Sequence, residues 1–231
     1  NCTFIQTKNK KILIDLGMNN KYITSKLAEI DVLPSEIDYV FITHTHADHT
    51  GAMKTFFKNN TPFVFLDEKM LPELEFLNDY PNLCFDNSTL NFDGLTVEIL
   101  KTSHDAPGSR AYIFREDDSS VVYITDTGYI NQKYFDKLTN LSLYIFESNH
   151  DVEMLMHGKY PSWLKARIRN DEGHLSNNQC AFYLSKFIGP NTKEVVLAHI
   201  SKENNTPEIA LDTLKSSLSE NNINFNNIIV A

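Results

Sequence analysis

The stretch Thr43-His44-Thr45-His46-Ala47-Asp48-His49-Thr50-Gly51 places three imidazoles and a carboxylate within six residues. It follows the apolar run Tyr39-Val40-Phe41-Ile42, which is typical of a buried strand, so we expect the polar residues in the loop at the end of that strand. Neutral imidazole nitrogens and a carboxylate oxygen suit Zn²⁺, Mn²⁺ or Fe. The stretch therefore predicts a metal site. A polar loop that merely contains several histidines is the alternative interpretation.

The spacing within this loop indicates two metal positions. Alternate side chains of an extended loop point the same way, which groups His44 with His46. Asp48 and His49 are then directed elsewhere, at the start of a helix that we expect from Gly51 onward. This second pair predicts a second ion.

The composition is that of one α/β domain over residues 1–231, with 42% apolar residues and a net charge of −9. That charge excludes a generally basic protein that coats nucleic acid, although a local basic groove remains compatible with it. Three widely spaced cysteines argue against a disulfide framework and predict a cytoplasmic location. No apolar run approaches the roughly 18 residues of a membrane span, so no membrane association is expected. The chain does not begin with Met, and we expect residues to precede Asn1.

Hydrophobic periodicity predicts alternating strands and helices in the first half of the chain and short strands in the second half. The predicted strands are 11–17, 39–42, 62–66, 95–100, 111–114, 121–124, 143–146, 195–198 and a last strand near the end of the chain, with an antiparallel sheet over 95–124. The predicted helices are 22–30, 68–77, one with Ser176 as its N-cap, and 209–218. Turns are expected over 78–88.

Three further ligand candidates each follow a predicted strand: His104, Asp126 and His199. Alone, a histidine at a strand end is more often hydrogen-bonded than a ligand, and an aspartate before Thr-Gly is more often a turn former. Their joint occurrence with the histidine loop favours ligands. The full predicted set is His44, His46 and His104 on one ion, Asp48, His49 and His199 on the other, and Asp126 bridging the two.

This series of residues resembles the metallo-β-lactamase superfamily over nearly the whole chain. The resemblance implies an α/β fold, a four-layer αβ/βα sandwich in which two mixed β-sheets pack between outer helices, with a dinuclear site at one edge. Asp126 stands where true β-lactamases carry a cysteine ligand. The resemblance therefore does not extend to antibiotic hydrolysis.

Glu147 and His174 match positions of ribonuclease Z and related phosphodiesterases of this superfamily. There, a glutamate and a histidine near the metals form a dyad that delivers a proton to the leaving group. A plain salt bridge for Glu147, and a capping or core position for His174, are the alternatives. His150 is predicted to orient substrate and is not counted among the metal ligands; an extra metal contact and a hydrogen-bonding role beside the site are the alternatives.

Five separated motifs resemble the WalJ/YycJ/VicX-like branch of the superfamily. They are Asn1-Cys2-Thr3, Glu147-Ser-Asn-His150-Asp151, Gly158-Lys-Tyr-Pro161, Gly173-His174-Leu-Ser176-Asn177 and Leu197-Ala-His199-Ile-Ser201-Lys-Glu-Asn204-Asn205. The resemblance implies a DNA exonuclease that acts from the 5′ end and is linked to repair. It also implies a short strand before Asn1.

The residues agree with phosphodiester hydrolysis, because two divalent ions can activate a bridging hydroxide and stabilise the attacking and leaving oxygens together. Asp48 would orient the nucleophile, and His174 would protonate the leaving oxygen. The expected partner is DNA, with RNA as the alternative polymer. The predicted substrate-binding residues are His150, Lys159, Lys165, Arg167, Arg169 and Asn204, with Tyr160 and Trp163 interleaved for base stacking; a solvated helix face is the alternative.

Two other functions stay open at this point. A small-molecule hydrolase of a thioester, lactone or cyclic phosphodiester would use the same ions, and a metal-binding regulatory module would use them without turnover. The sequence does not distinguish among Zn, Mn and Fe as the bound metal. It gives no information on the oligomeric state.

Overall fold

Residues 1–85 and 89–231 are described by the computed structural model. They divide into a first unit, residues 1–99 with 106–110, and a second unit, residues 100–105 with 111–231. The expectation of one domain over 1–231 stays a prediction.

The first unit contains a mixed sheet with the strand order β1-β2-β3-β4-β5. β1 is antiparallel to β2, and the following neighbours pair in parallel. The strands are β1 (Thr3–Gln6), β2 (Lys11–Ile14), β3 (Tyr39–Phe41), β4 (Phe63–Leu66) and β5 (Leu83–Phe85). Every residue of β3 is buried, as expected for a continuous apolar run in a parallel sheet. An antiparallel hairpin, β6 (Leu90–Phe92) and β7 (Leu95–Lys101), follows.

The helices of the first unit are α1 (Asn20–Ala28), α2 (Ala47–Thr50) and α3 (Met53–Phe56). The Asn19 side chain caps α1 by accepting a hydrogen bond from the amide of Tyr22. Ile23 and Leu27 of α1 are buried in one apolar cluster with Leu13 of β2. The apolar face of α1 is therefore the part that fixes the helix on the unit.

Three expectations for this unit need correction. The helix predicted from Gly51 onward begins earlier, because Asp48 and His49 lie within α2 and Gly51 is its C-cap. The helix predicted over 68–77 consists of 3₁₀ turns, Glu68–Glu73 and Glu75–Leu77, since Pro72 removes a backbone donor. The turns predicted over 78–88 include strand β5. Residues 86–88 of that prediction lie outside the described residues.

The second unit contains a mixed sheet with the order β12-β11-β10-β9-β8. β8 and β9 are antiparallel, as predicted, whereas β9, β10, β11 and β12 pair in parallel. The strands are β8 (Arg110–Glu116), β9 (Ser119–Ile124), β10 (Leu143–Glu147), β11 (Glu194–Ala198) and β12 (Ile228–Val230), and the helices are α4 (Phe135–Leu138), α5 (Val152–His157), α6 (Ser162–Arg169), α7 (Asn177–Phe187) and α8 (Pro207–Glu220).

Helix α7 begins as the sequence predicts. The Ser176 side chain accepts from the amide of Gln179, and the Gln179 side chain accepts from the amide of Ser176, which is a capping box. Leu184 and Phe187 of α7 are fully buried in the apolar core of the second unit, together with Phe146 of β10. This packing holds the C-terminal half of α7 against β10.

No helix in the part of the chain that the structure describes is both long enough and apolar enough to cross a bilayer.

Candidate metal centre and catalytic residues

The loop after β3 brings three of the predicted imidazoles together. The ring centroid of His44 lies 4.7 Å from that of His46 and 4.0 Å from that of His49. His44 and His49 are buried, and His46 is partly exposed. The first unit therefore presents a cluster of histidines at the end of its sheet, as the sequence predicts.

Asp15 supports this cluster and was not predicted as a site residue. Its fully buried carboxylate accepts hydrogen bonds from the Thr43 amide at 2.8 Å, from Thr43 Oγ1 at 2.8 Å and from His49 Nδ1 at 2.7 Å. Because β2 and β3 are parallel neighbours, Asp15 and Thr43 leave the same edge of the sheet. An aspartate directly after a strand that is next to the histidine strand is the sequence signal for this role.

Asp48 lies beside His49 on α2, with its side chain 62% exposed. Its Oδ2 is 3.5 Å from His49 Nε2 and accepts a hydrogen bond from Asn1 Nδ2 at 2.8 Å. The turn after β2 packs directly under this segment, since a Cβ on Gly17 would lie 1.5 Å from the Asp48 carbonyl oxygen. Only glycine allows this approach.

The carboxyl end of the sheet in the second unit carries the other predicted residues. β9, β10 and β11 are parallel neighbours, so Asp126, Glu147 and His199 meet at one edge. Asp126 Oδ1 lies 3.5 Å from His199 Nε2 and 3.8 Å from His104 Nε2. Asp126 and His199 have positive φ angles of 57° and 58°. Such backbone strain concentrates at functional sites.

Glu147 is the last residue of β10, between β9 and β11, and its side chain is fully buried. Its Oε1 accepts from His174 Nδ1 at 2.9 Å and from His199 Nδ1 at 2.8 Å. Its Oε2 accepts from the amides of Thr127 and Leu175. The structure thus brings Glu147 and His174 together as predicted, and it adds a contact from the same carboxylate to His199.

The ionisation of this pair follows from its surroundings. Burial raises the pKa of Glu147, but the charges and hydrogen bonds of His174 and His199 outweigh it, so the pKa of Glu147 lies well below its ordinary value. Burial lowers the pKa of His174, but the Glu147 charge prevails and the pKa of His174 is raised. The pKa of His104 is lowered, chiefly by burial. The site thus favours a protonated His174 beside a neutral His104.

The histidines fit divalent metal binding, because their Nδ1 atoms face oxygen acceptors. His49 Nδ1 faces Asp15, His199 Nδ1 faces Glu147, and His104 Nδ1 lies 3.2 Å from the Gly173 carbonyl oxygen. His44 Nδ1 lies 3.0 Å from Thr43 Oγ1, whose own proton goes to Asp15. This pattern fixes the proton on Nδ1 and leaves Nε2 as the ligand atom, as in known metal sites. In the second unit alone, Asp126, Glu147, His174 and His199 offer ligand atoms within 4.8 Å of one another.

Two of the predicted substrate-binding residues lie in the interior. His150 and Asn204 are buried, and the pKa of His150 is lowered to about 4, mainly by burial. The Asn204 carbonyl oxygen accepts from the Asp151 amide at 2.9 Å. Beside them, Asn205 Nδ2 donates to the carbonyl oxygen of Ser148 and to Asn177 Oδ1, each at 2.8 Å. These motif residues hold the segments after β10 and β11 together.

The predicted basic cluster lies on α6 and in the segment before it. Arg167 Nε donates to Asp105 Oδ2 at 2.5 Å. Lys165 Nζ donates to the Met156 carbonyl oxygen, and Arg169 Nη1 to Met156 Sδ. Lys159 is exposed on the loop before α6. Of the four cations, Arg167 is therefore the one bonded to the segment that carries His104.

Comparison with known proteins agrees with this arrangement. The family model of the metallo-beta-lactamase superfamily matches residues 1–199. The chain belongs to the metallo-β-lactamase superfamily. The fold class is thereby confirmed as an α/β fold with two mixed sheets flanked by helices. This superfamily implies divalent metal binding, for which the chain carries candidate groups of histidine and aspartate ligands.

Two relatives within the metallo-β-lactamase superfamily match most of the chain. It is 36% identical to exodeoxyribonuclease WalJ of Streptococcus pneumoniae serotype 2 strain D39, over 95% of this chain and 84% of the relative. It is 30% identical to exodeoxyribonuclease YycJ of Bacillus anthracis, over 95% of this chain and 85% of the relative. The crystal structure of YhfI from Bacillus subtilis shares the fold, with a TM-score of 0.72 and 17% identity over 99% of this chain and 87% of that one.

Proposed function

We propose that this chain is a metal-dependent exodeoxyribonuclease that degrades DNA from the 5′ end. The observation that carries the proposal is the Glu147 carboxylate, whose Oε1 bonds both His174 and His199. One carboxylate thus joins a histidine suited to proton transfer to a histidine suited to metal binding. The names of the relatives, exodeoxyribonucleases WalJ and YycJ, support DNA as the substrate.

The proposed ligands are those that the residue pattern predicts. His44, His46 and His104 would hold one divalent ion, Asp48, His49 and His199 the other, and Asp126 would be shared. When bound, two such ions supply Lewis acidity for the phosphate and lower the pKa of the attacking water. Zn, Mn and Fe all suit this set of imidazoles and carboxylates.

The protein's own groups carry the proton transfers. His174 is the most exposed histidine of the second-unit edge, at 21%; burial lowers its pKa, but the Glu147 carboxylate raises that pKa overall, which favours the protonated imidazole. Its Nδ1 is held by Glu147, which leaves Nε2 to protonate the leaving oxygen of the phosphodiester. The exposed carboxylate of Asp48 would orient the nucleophile.

Of the predicted substrate-binding residues, Lys159, Lys165, Arg167 and Arg169 are proposed to contact the substrate directly. His150 and Asn204 are buried, so they would act indirectly, by holding the segments around Glu147 and His199. Arg167, which is bonded to the segment of His104, would meet a backbone phosphate next to the site, and Lys159, Lys165 and Arg169 would meet phosphates further along the strand, on an otherwise acidic protein. A cytoplasmic location, suggested by the odd number and wide spacing of the three cysteines, is part of the same proposal.

The test is an activity assay of the full chain on 5′- and 3′-labelled DNA, single-stranded and double-stranded, with the metal content of the same sample measured. We expect release of nucleotides from the 5′ end, loss of activity after chelation, and recovery when one of the three metals is restored. RNA of the same sequence tests the alternative polymer. Metal-loaded protein that releases no nucleotide from any of these substrates would contradict the proposal and favour a small-molecule hydrolase or a regulatory module.

A further inference from the structure

Helix α6 is fixed directly beside His174 by backbone contacts. The amide of His174 donates to the carbonyl oxygen of Ile168 at 2.9 Å, and the amide of Gly173 donates to the carbonyl oxygen of Asn170 at 3.0 Å. A Cβ on Gly173 would lie 2.2 Å from the Ile168 carbonyl oxygen, so glycine alone permits this approach. The side chains of α6 are therefore held at a defined distance from the proposed proton donor.

Arg167 of α6 is bonded to the segment that carries His104. Its Nε donates to Asp105 Oδ2 at 2.5 Å, and Asp105 Oδ1 lies 3.6 Å from His104 Nε2. The Arg167 side chain is 50% exposed, and its Nη1 and Nη2 have no hydrogen-bond partner among residues 1–85 and 89–231. A guanidinium held at Nε presents two donors in the geometry that matches a phosphate.

Trp163 lies one turn before Arg167 on the same face of α6, since residues four apart on a helix are neighbours. It is 68% exposed, and it is the only tryptophan of the chain. The two residues lie about 6 Å apart along the helix axis. A large exposed indole next to a phosphate-binding cation is the pattern of proteins that bind single strands by stacking on bases.

The other cations of α6 face away from this pair. Lys165 and Arg169 lie on the opposite side of the helix, where both contact Met156 of α5. They pack α5 against α6. The α6 face that carries Arg167 therefore presents one cation, Arg167, and one aromatic ring, Trp163, one after the other along the helix.

We infer that Trp163 and Arg167 form a subsite for a single-stranded DNA end, which we call the α6 subsite. Arg167 binds a backbone phosphate, with Asp105 as its positioning residue, and Trp163 stacks on an unpaired base. Stacking on an indole requires a base that is free of its complement, so the preferred substrate is a single strand or a frayed end, with little sequence preference. This inference rests on the proposed nuclease function and specifies its substrate.

The fluorescence of the single tryptophan tests the α6 subsite without turnover. The metal-loaded full chain is titrated with single-stranded oligonucleotides whose phosphorothioate linkages resist hydrolysis. We expect quenching of Trp163 that saturates with binding, and little quenching by a blunt duplex of the same length or by a single strand with abasic sites at its 5′ end.

Binding of dye-labelled single strands, followed by fluorescence polarisation, tests each residue. We expect Trp163→Ala and Arg167→Ala each to weaken binding about tenfold, and Trp163→Phe to restore most of it. Trp163→Ala should have no further effect on the abasic strand. Lys186→Ala is the matched control, since Lys186 lies on α7 over the ring of Phe182, and it should bind like the original chain.

Equal quenching by abasic and normal strands, or equal binding by Trp163→Ala and Lys186→Ala, would overturn the α6 subsite. These outcomes are distinguishable from failure of the proposed function. Degradation of DNA without quenching of Trp163 would support the nuclease function and overturn the α6 subsite. Release of no nucleotides would contradict the proposed nuclease function itself.

Discussion

The Asp15 carboxylate accepts a hydrogen bond from His49 Nδ1 at 2.7 Å, and both side chains are fully buried. This bond fixes the imidazole so that Nε2 is left to bind metal. Asp15 also accepts from the backbone and hydroxyl of Thr43, so it orients the histidine loop from beneath.

Replacing Asp15 by alanine should therefore weaken metal binding by about 10- to 100-fold, since partners that orient metal ligands contribute to affinity on this scale. Competition with a chelator measures the change. Asp38→Ala is the matched control. Asp38 lies just before β3, at the opposite end of that strand from the histidines, and its carboxylate accepts a hydrogen bond from the amide of Lys11 on β2. Equal metal affinities of the two variants would show that Asp15 does not orient the site.

The histidine loop could be predicted because its signal is local, an apolar strand followed at once by closely spaced ligands. The roles of Asp15 and Glu147 depend on contacts that span 34 and 52 residues, Asp15 to His49 and Glu147 to His199. Such contacts arise only once parallel strands have paired. From the sequence, Asp15 can be predicted to lie at the end of a strand. The neighbouring strand in the sheet, which decides what Asp15 contacts, cannot be predicted from that position.

Helical periodicity predicted α1, α7 and α8, which bury an apolar face. It did not predict α6, a short helix over Ser162–Arg169 in which no residue is buried. The 3₁₀ turns at Glu68–Glu73 were predicted as helix because the apolar spacing alone does not register the effect of Pro72.

Asn205→Ala should lower the free energy of unfolding by about 1–3 kcal/mol. The change removes the side-chain partner of the Ser148 carbonyl oxygen and of the Asn177 side-chain amide, and both groups are buried. Urea unfolding measures this loss. Asn226→Ala is the control, since Asn226 is exposed and, among residues 1–85 and 89–231, its side chain bonds only Asn224. If both variants unfold at the same urea concentration, the buried side-chain amides of Asn177 and Asn205 do not stabilise the segments after β10 and β11.

The His174–Glu147 pair predicts how the stability of metal-free protein depends on pH. Burial lowers the pKa of His174, but Glu147 raises it above the ordinary 6.5, so the contribution of His174 is complete below 6.5 and is lost as the pH rises through the raised pKa. The pKa of Glu147 is lowered below 4.5, so its contribution holds above 4.5 and is lost as the pH falls through the lowered pKa.

Thermal unfolding of the chelated chain from about pH 6 to about pH 9 measures the alkaline part of this dependence. We expect the Tm of the chain to fall by more than that of His174→Ala over this range. His157→Ala, a change at an exposed histidine that pairs with Glu153, should follow the original chain. Parallel curves for all three proteins would mean that the pair does not stabilise the protonated imidazole.

The proposed function depends most on His174 as a proton donor that is held by Glu147 and is not itself a metal ligand. The direct measurement is the metal content and the nucleotide release of His174→Ala in the same preparation, compared with the original chain and with His157→Ala. We expect unchanged metal content with nucleotide release at least about 100-fold slower, the scale of general acid catalysis. Undiminished release by His174→Ala, or loss of metal in step with activity, would contradict this role of His174.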